Sequence, residues 1–312
     1  MNIKRIIDRN RKLIAYIILI IIFVLFAIKS LNSYYEKDEE RKKKEIAENA
    51  IVKETAQSTN IPDKIVNNSI EDTMRSFVSY CNKRKIQNAY KMLTQECKEA
   101  MFPTAEFFEQ TYVNKIYNIK RTYELTKWST EGNKEIYLVS LYGDLLATGG
   151  AGNSIQEYYT FVKGDNGIYK LNINNYIYGE KRNLESTKNN ISVKIDYVEI
   201  YEDYEIATIK ITNNTSKKIC LTGNKYKENI YLQDSSDVTY APLNSEFEKQ
   251  EIVLNPNGYQ TFIIQFNKGY SAGNKAKYLV LSDVILDYED YLNSSSKQSY
   301  NNRIQIKAEY QK

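Results

Sequence analysis

The feature that most constrains this chain is the run Leu13 to Ile28, sixteen residues without a charge, a proline or a glycine. At about 1.5 Å per residue a helix over it falls a little short of the roughly 30 Å bilayer core. Leu31 extends the run and Lys29 can snorkel, so residues 13–31 are expected to form a single membrane anchor. A secretory signal peptide also begins with a basic segment and an apolar run, but its apolar part is usually about 7–15 residues and is followed by a small-x-small cleavage site. No such site follows here, so the anchor is read as retained.

Charge orients the anchor. The net charge of +4 invites a nucleic-acid partner, but residues 1–12 hold five basic residues against Asp8 and residues 13–28 hold none, leaving 38 basic and 38 acidic residues beyond. The basic excess therefore flanks the anchor, which places residues 1–12 as a cytoplasmic tail and everything after the span on the extracellular side. A neutral remainder makes nucleic acid an unfavoured partner, because phosphate binding needs a basic face. Lys83-Arg84-Lys85 is the one basic run in the first folded region, and a solvated helix end is its simpler reading.

The chain has no histidine, which removes Ser-His, Cys-His and His-metal chemistry at once. Its three cysteines, Cys81, Cys97 and Cys220, are too few for a disulfide framework, and their odd number leaves at least one unpaired. They read as small buried hydrophobes, with a Cys81–Cys97 bridge as the alternative. Tyrosine is abundant at 28 residues. Together with the many Asn, Lys and Ile it follows A/T-rich codons, as in a low-GC Gram-positive genome; an aromatic binding surface is the alternative.

Residues 32–68 read as a charged helical stalk and linker. Glu39–Lys43 and Glu40–Lys44 set opposite charges four apart, and Thr55 to Pro62 breaks the pattern. Ser69 then caps a helix with Asp72 three residues on, and Ile70, Met74, Phe77, Val78 and Cys81 share one face. Ile86 to Leu93 gives a second helix, Thr94 caps a third that runs to Met101, and Thr104 caps a fourth that carries Phe107, Phe108, Thr111 and Tyr112. From Ile116 the period becomes two. Strands are predicted over 116–128, 135–146, 155–163 and 168–176, with turns at 131–133, 148–153 and 164–167. Residues 69–180 are therefore an α+β domain.

This order of several helices before a curved antiparallel sheet resembles the cone domains of the nuclear-transport-factor-2-like superfamily. Beyond a presumed linker over 179–190, residues 190–312 read as all strand. The pattern Ile209 to Thr215, Ile230 to Tyr240, Val253 to Gly258 and Phe262 to Phe266 is similar to the immunoglobulin-like (telokin-like) β-sandwich domains of Gram-positive envelope proteins, whose corresponding residues serve the core and are not catalytic. The stretch 283–299 departs from that pattern. One N-terminal span followed by a cone is also similar to the VirB8-like assembly components of conjugation and secretion machines, although their Gram-positive relatives tend to carry a second cone where this chain has a sandwich.

These resemblances imply a non-enzymatic, single-pass membrane protein that binds envelope proteins or wall polymer and is compatible with a homo-oligomer. No catalytic residue, cofactor or metal is expected. The alternative is a small-ligand sensor or enzyme that uses the cone, since related cones use an Asp base and a Tyr donor. Its candidates are Tyr112, Tyr117, Tyr137, Tyr142, Tyr159 and Asp144. An open cone lined by a buried carboxylate would favour it, and a cone plugged by Phe and Tyr would favour the scaffold. Gly149-Gly150-Ala151-Gly152 suits a hairpin better than a phosphate loop, because a strand and not a helix follows. Asp234-Ser-Ser-Asp237 lacks the ligands of a Ca²⁺ loop and reads as a turn. Asp283, Asp287, Glu289 and Asp290 read as a solvated edge, with a cation or a basic partner as the alternative. The sequons at Asn67, Asn190, Asn213, Asn214 and Asn293 matter only in a eukaryotic host.

Overall fold

The computed structural model describes residues 69–143, 154–223, 228–244, 247 and 250–311. The anchor run, the stalk, Asp144 and Gly149–Gly152 lie outside the described residues. Among the described residues no helix is long and apolar enough to cross a membrane. The architecture is β-rich with a few helices, in two layered parts.

The first part begins with Ile70–Asn82 (α1), Ile86–Lys91 (α2) and Gln95–Met101 (α3). Ala105–Phe108 (α4), a π-helical stretch Glu109–Val113 and the turn Asn114–Ile116 (α5) complete the helices. The capping chemistry is as the sequence predicts: Ser69, Thr94 and Thr104 accept from the backbone N–H groups of Asp72, Cys97 and Phe107. Arg84, at φ 55° after α1, donates to Asn114 Oδ1 at 2.8 Å and Tyr117 O at 3.1 Å, so this basic run also ties the α1–α2 turn to α5.

Arg121–Glu131 (β1), Lys134–Gly143 (β2), Ser154–Lys163 (β3) and Tyr169–Asn172 (β4) form an antiparallel sheet in sequence order. Gly132 and Gly167 take the positive φ that their turns require. The inner face alternates: Tyr123 and Leu125, Val139 and Leu141, Tyr159 and Phe161, then Leu171, all packed under α1 and the later helices. Two boundaries differ from expectation. Residues 117–120 leave α5 without joining β1, and β4 stops at Asn172 because Asn174 and Asn175 turn through left-handed φ of 60° and 61°.

The presumed linker is a strand. Tyr176–Lys188 (β5) runs through it and pairs along its length with Ile191–Tyr201 (β6). Tyr176 packs in the first core, while Ile177 and Tyr178 pack in the second, so one strand crosses from one part to the other. Gly179 sits at the crossing, where a Cβ would come within 1.8 Å of Tyr197 Oη.

The second part is a sandwich. One sheet has the order β11-β13-β7-β6-β5, with Glu205–Asn213 (β7), Pro242–Asn244 (β11) and Tyr259–Phe266 (β13). The other has the order β10-β9-β14-β8-β12, with Ile219–Cys220 (β8), Ile230–Asp234 (β9), Thr239–Tyr240 (β10), Val253–Leu254 (β12) and Ala276–Ile285 (β14). Arg303–Glu309 (β15) pairs with β14. The facing residues fill the space between: Val193, Ile195, Val198 and Ile209 from one sheet, Leu232, Leu279, Leu281 and Ile306 from the other. A bulge between Ile195 and Tyr197 explains the step from Ile195 to Val198 within a period of two.

The stretch after Asp283 becomes a cap. Asp287 accepts from Asp290 N at the start of Tyr288–Asn293 (α6), and Tyr291 packs against Cys220 and Ile285. All three cysteines are buried and free, so the Cys81–Cys97 bridge is absent. Asn213 is fully buried and donates to the carbonyls of Lys217, Leu254 and Asn255, so it serves as a corner and cannot carry a sugar.

Candidate functional site

The interior of the helix–sheet part gathers three of the predicted tyrosines. The π-helical stretch holds Tyr112, the turn after α5 holds Tyr117, and β3 holds Tyr159, each 3% exposed or less. Tyr112 stacks on Phe108 at 5.7 Å, and Phe77 meets Tyr159 and Tyr117 edge-on at 6.1 and 6.5 Å. Phe102 closes the same wall, 5.7 Å from Tyr112. The interior is therefore filled with rings packed in offset and edge-to-face contacts.

Sequence reasoning missed the carboxylate among them. Glu157, 7% exposed, is two residues before Tyr159 and four before Phe161 on the inward face of β3. Tyr112 Oη donates to Glu157 Oε2 at 2.8 Å and also contacts Tyr159 Oη. Burial outweighs the Tyr112 hydrogen bond and leaves the Glu157 carboxyl raised to about 7. Burial also raises Tyr112, Tyr117 and Tyr159 well above the ordinary phenol range, with Glu157 adding to each. Tyr117 Oη is buried without a hydrogen-bond partner. A near-neutral carboxyl beside phenols can hold or release a proton, but the packed rings leave it little room for a substrate.

The other candidates lie apart. Tyr137 contacts Phe161 edge-on at 5.4 Å and its hydroxyl points to Glu135 at 3.5 Å. Tyr142 is 38% exposed and donates to Glu124 on the sheet surface.

A second polar cluster joins the two parts and was not foreseen. Glu205 and Lys268 are 5% and 3% exposed, with Lys268 Nζ 3.9 Å from Glu205 Oε1 and 2.9 Å from Gly269 O. Tyr310 Oη donates to Glu205 Oε2 at 3.2 Å, and Arg182 covers the Tyr310 ring while donating to Tyr310 O at 2.9 Å. Burial raises the Glu205 carboxyl and Lys268 lowers it again; burial lowers the Lys268 ammonium and Glu205 raises it. Nearby, Glu131 at the end of β1 accepts from Tyr178, Tyr270 and Lys275, and Ser129 meets Tyr270 at 2.9 Å. Trp128 packs on Tyr158 at 4.2 Å and Tyr270 at 5.1 Å. A crevice of about 250 Å³, open space at its mouth included, lies between Tyr178, Arg182, Glu205, Tyr270 and Lys275. Its charges are already matched within the protein, so the cluster reads as a clasp.

The remaining motifs are structural. Asp234 accepts from Ser236 N, Val238 N and Tyr240 Oη, which makes its turn and occupies its oxygens. In the acidic group, Asp287 pairs with Lys217, Glu289 with Lys218 and Asp283 with Arg303. Among the described residues no group of three or more His, Cys, Asp or Glu could hold a metal ion. No protein-family model matches the chain, and no curated protein matches it.

Proposed function

We propose that this chain is a membrane-anchored, extracytoplasmic scaffold or binding protein of a Gram-positive cell envelope, in which a nuclear-transport-factor-2-like cone is clasped to a telokin-like sandwich. The observation that carries the reading is the filled cone: Phe77, Phe108, Tyr112, Tyr117 and Tyr159 occupy the space that a substrate would need. A plugged interior with a surface of matched charges suits protein or wall-polymer contact. A VirB8-like role in a conjugation or secretion machine is the specific form of this proposal, on the strength of the anchor-then-cone order. The test is affinity capture of the tagged full-length chain from native membranes after mild cross-linking. Retention of envelope or secretion subunits is the expected result; recovery of the chain alone, without protein or wall polymer, would sink the proposal.

A small-ligand sensor or enzyme is the second reading, and the buried Glu157 beside Tyr112 and Tyr159 favours it. It requires the rings to part. Thermal-shift screening of the full chain against small carbonyl and carboxylate compounds decides it: a rise in Tm that vanishes in Tyr159→Phe supports a cone ligand, and no rise removes it.

A further inference from the structure

We propose that the hollow over Gly179, where α3 meets β5 and β6, is a binding site for an organic ammonium group. On β6 the side chains of Tyr197, Glu199 and Tyr201 alternate onto one face. Gly179 of β5 stands opposite Glu199 in the ladder. Having no side chain, it leaves room there for the hydroxyls of Tyr197 and Tyr176, which a Cβ would meet at 1.8 and 2.7 Å. From α3, Glu96 and Glu99 add two exposed carboxylates three residues apart.

The acids converge on one spot and none has a cation. Burial raises the phenols of Tyr176, Tyr197, Tyr201 and Tyr204; the charge of Glu199 adds to all four, that of Glu96 to Tyr176 and Tyr197, and that of Glu99 to Tyr197. Burial also raises the Glu199 carboxyl, opposed only by the Tyr201 hydroxyl, which donates to its Oε2 at 3.2 Å. Among the described residues no lysine or arginine pairs with Glu96, Glu99 or Glu199, whereas Glu135, Glu180 and Glu205 each have one. Tyr176 is fully buried, and its hydroxyl has no hydrogen-bond partner although Tyr197 Oη lies beside it. A buried phenol oxygen with open lone pairs is an acceptor waiting for an N–H.

Charge and ring faces select the occupant. Elsewhere the chain covers tyrosine rings with its own cations, as with Lys98 over Tyr90 at 4.9 Å, Lys210 over Tyr259 at 4.1 Å and Lys307 over Tyr278 at 4.0 Å. Among the described residues no cation lies over Tyr176, Tyr197, Tyr201 or Tyr204. Tyr201 stacks on Tyr204 at 4.3 Å and meets Tyr176 edge-on at 5.2 Å, so these rings make a fixed wall. Carboxylates and uncovered ring faces both attract a cation. Among the described residues no three acids converge as metal ligands, so the hollow suits a larger cation that donates its own N–H groups. An ammonium does so, carried by a free alkylamine or by a lysine of a partner protein. The site goes beyond the scaffold reading, since its geometry stands whether or not an envelope partner is captured.

Saturation-transfer NMR on the full-length chain in detergent tests this, with empty micelles as the blank. The probes are n-butylammonium, a blocked tripeptide with lysine between two glycines, and the neutral isostere n-butanol. Both cations should bind saturably and at least about tenfold more tightly than n-butanol. Glu199→Gln should weaken them by about tenfold, and Glu96→Gln combined with Glu99→Gln on the exposed face of α3 by a similar factor, each with an unchanged Tm. Glu106→Gln, an exposed acid of α4, should change nothing. A peptide that binds more tightly than n-butylammonium assigns the site to a partner's lysine; equal or weaker peptide binding assigns it to a free amine. Absence of saturable binding by either cation, n-butanol binding as tight as n-butylammonium, or an affinity indifferent to the Glu96 and Glu99 changes overturns the proposal.

Discussion

Glu157, in the helix–sheet part, and Glu205, at the clasp, are both buried carboxylates, and they differ in what faces them. Each accepts a tyrosine hydroxyl, from Tyr112 in one case and Tyr310 in the other. Only Glu205 has a cation against it: Lys268 approaches directly, and Arg182 and Lys275 add to its field. Glu157 is surrounded by rings, so burial acts with little opposition and brings its titration to about 7. A buried acid among aromatics becomes a group that exchanges its proton near neutrality, whereas one beside an ammonium becomes part of a structural ion pair.

Removing the cation is the harshest way to break the contrast. Lys268→Met leaves Glu205 buried without its partner and should cost about 3–5 kcal/mol at pH 7. Urea unfolding measures it, and adding Glu205→Gln should recover most of the loss. A harmless Lys268→Met would make the two carboxylates equivalent.

Glu157 is expected to make stability depend on pH. Its folded titration, about 7, lies above its ordinary value of 4.5. Between those limits the folded chain holds more protons than the unfolded one, so stability falls as pH rises through about 4.5 to 7 and levels above. Glu157→Gln removes that slope. It should match the native chain near pH 4.5 and exceed it by about 3 kcal/mol at pH 8, judged by Tm and urea midpoints across pH. A native profile already flat over this window would show that Glu157 stays charged inside the helix–sheet part.

Smaller changes sharpen the picture. Tyr270→Phe loses the hydroxyl that meets Ser129 and Glu131 across the two parts, and should cost about 1 kcal/mol in urea unfolding with the Glu157 pH slope unchanged. Ile263→Lys, at an exposed position of β13, should shift stability by no more than about 0.5 kcal/mol, as read from Tm.

Much of the local structure was legible beforehand. Ser69, Thr94 and Thr104 announce their helices, because a side-chain oxygen three residues before an amide makes its capping bond within one turn. The turns at Gly132 and Gly167, and the alternation along β1 to β3, are equally local. Strand β5 was hidden, since the segment from Gly179 to Asn183 has no apolar alternation and becomes a strand through its pairing with β6. Glu157 did leave a signal, as the first of three inward positions ahead of Tyr159 and Phe161, but an acid on an apolar face reads outward until the surrounding rings are known.

What the sequence determined by itself was whatever depends on neighbours within a turn or a strand: caps, turns, periods, the absence of histidine chemistry, and a charge balance that leaves no basic excess after the apolar run. What only the tertiary structure decided was which distant groups meet. Glu205 finds Lys268, Tyr310 finds Arg182, and Ser129 finds Tyr270 across separations of 63, 128 and 141 residues, with no spacing rule to foretell them. Burial is a property of the assembled layers, and burial is what lifts Glu157 toward neutrality and keeps Glu205 tied to a lysine.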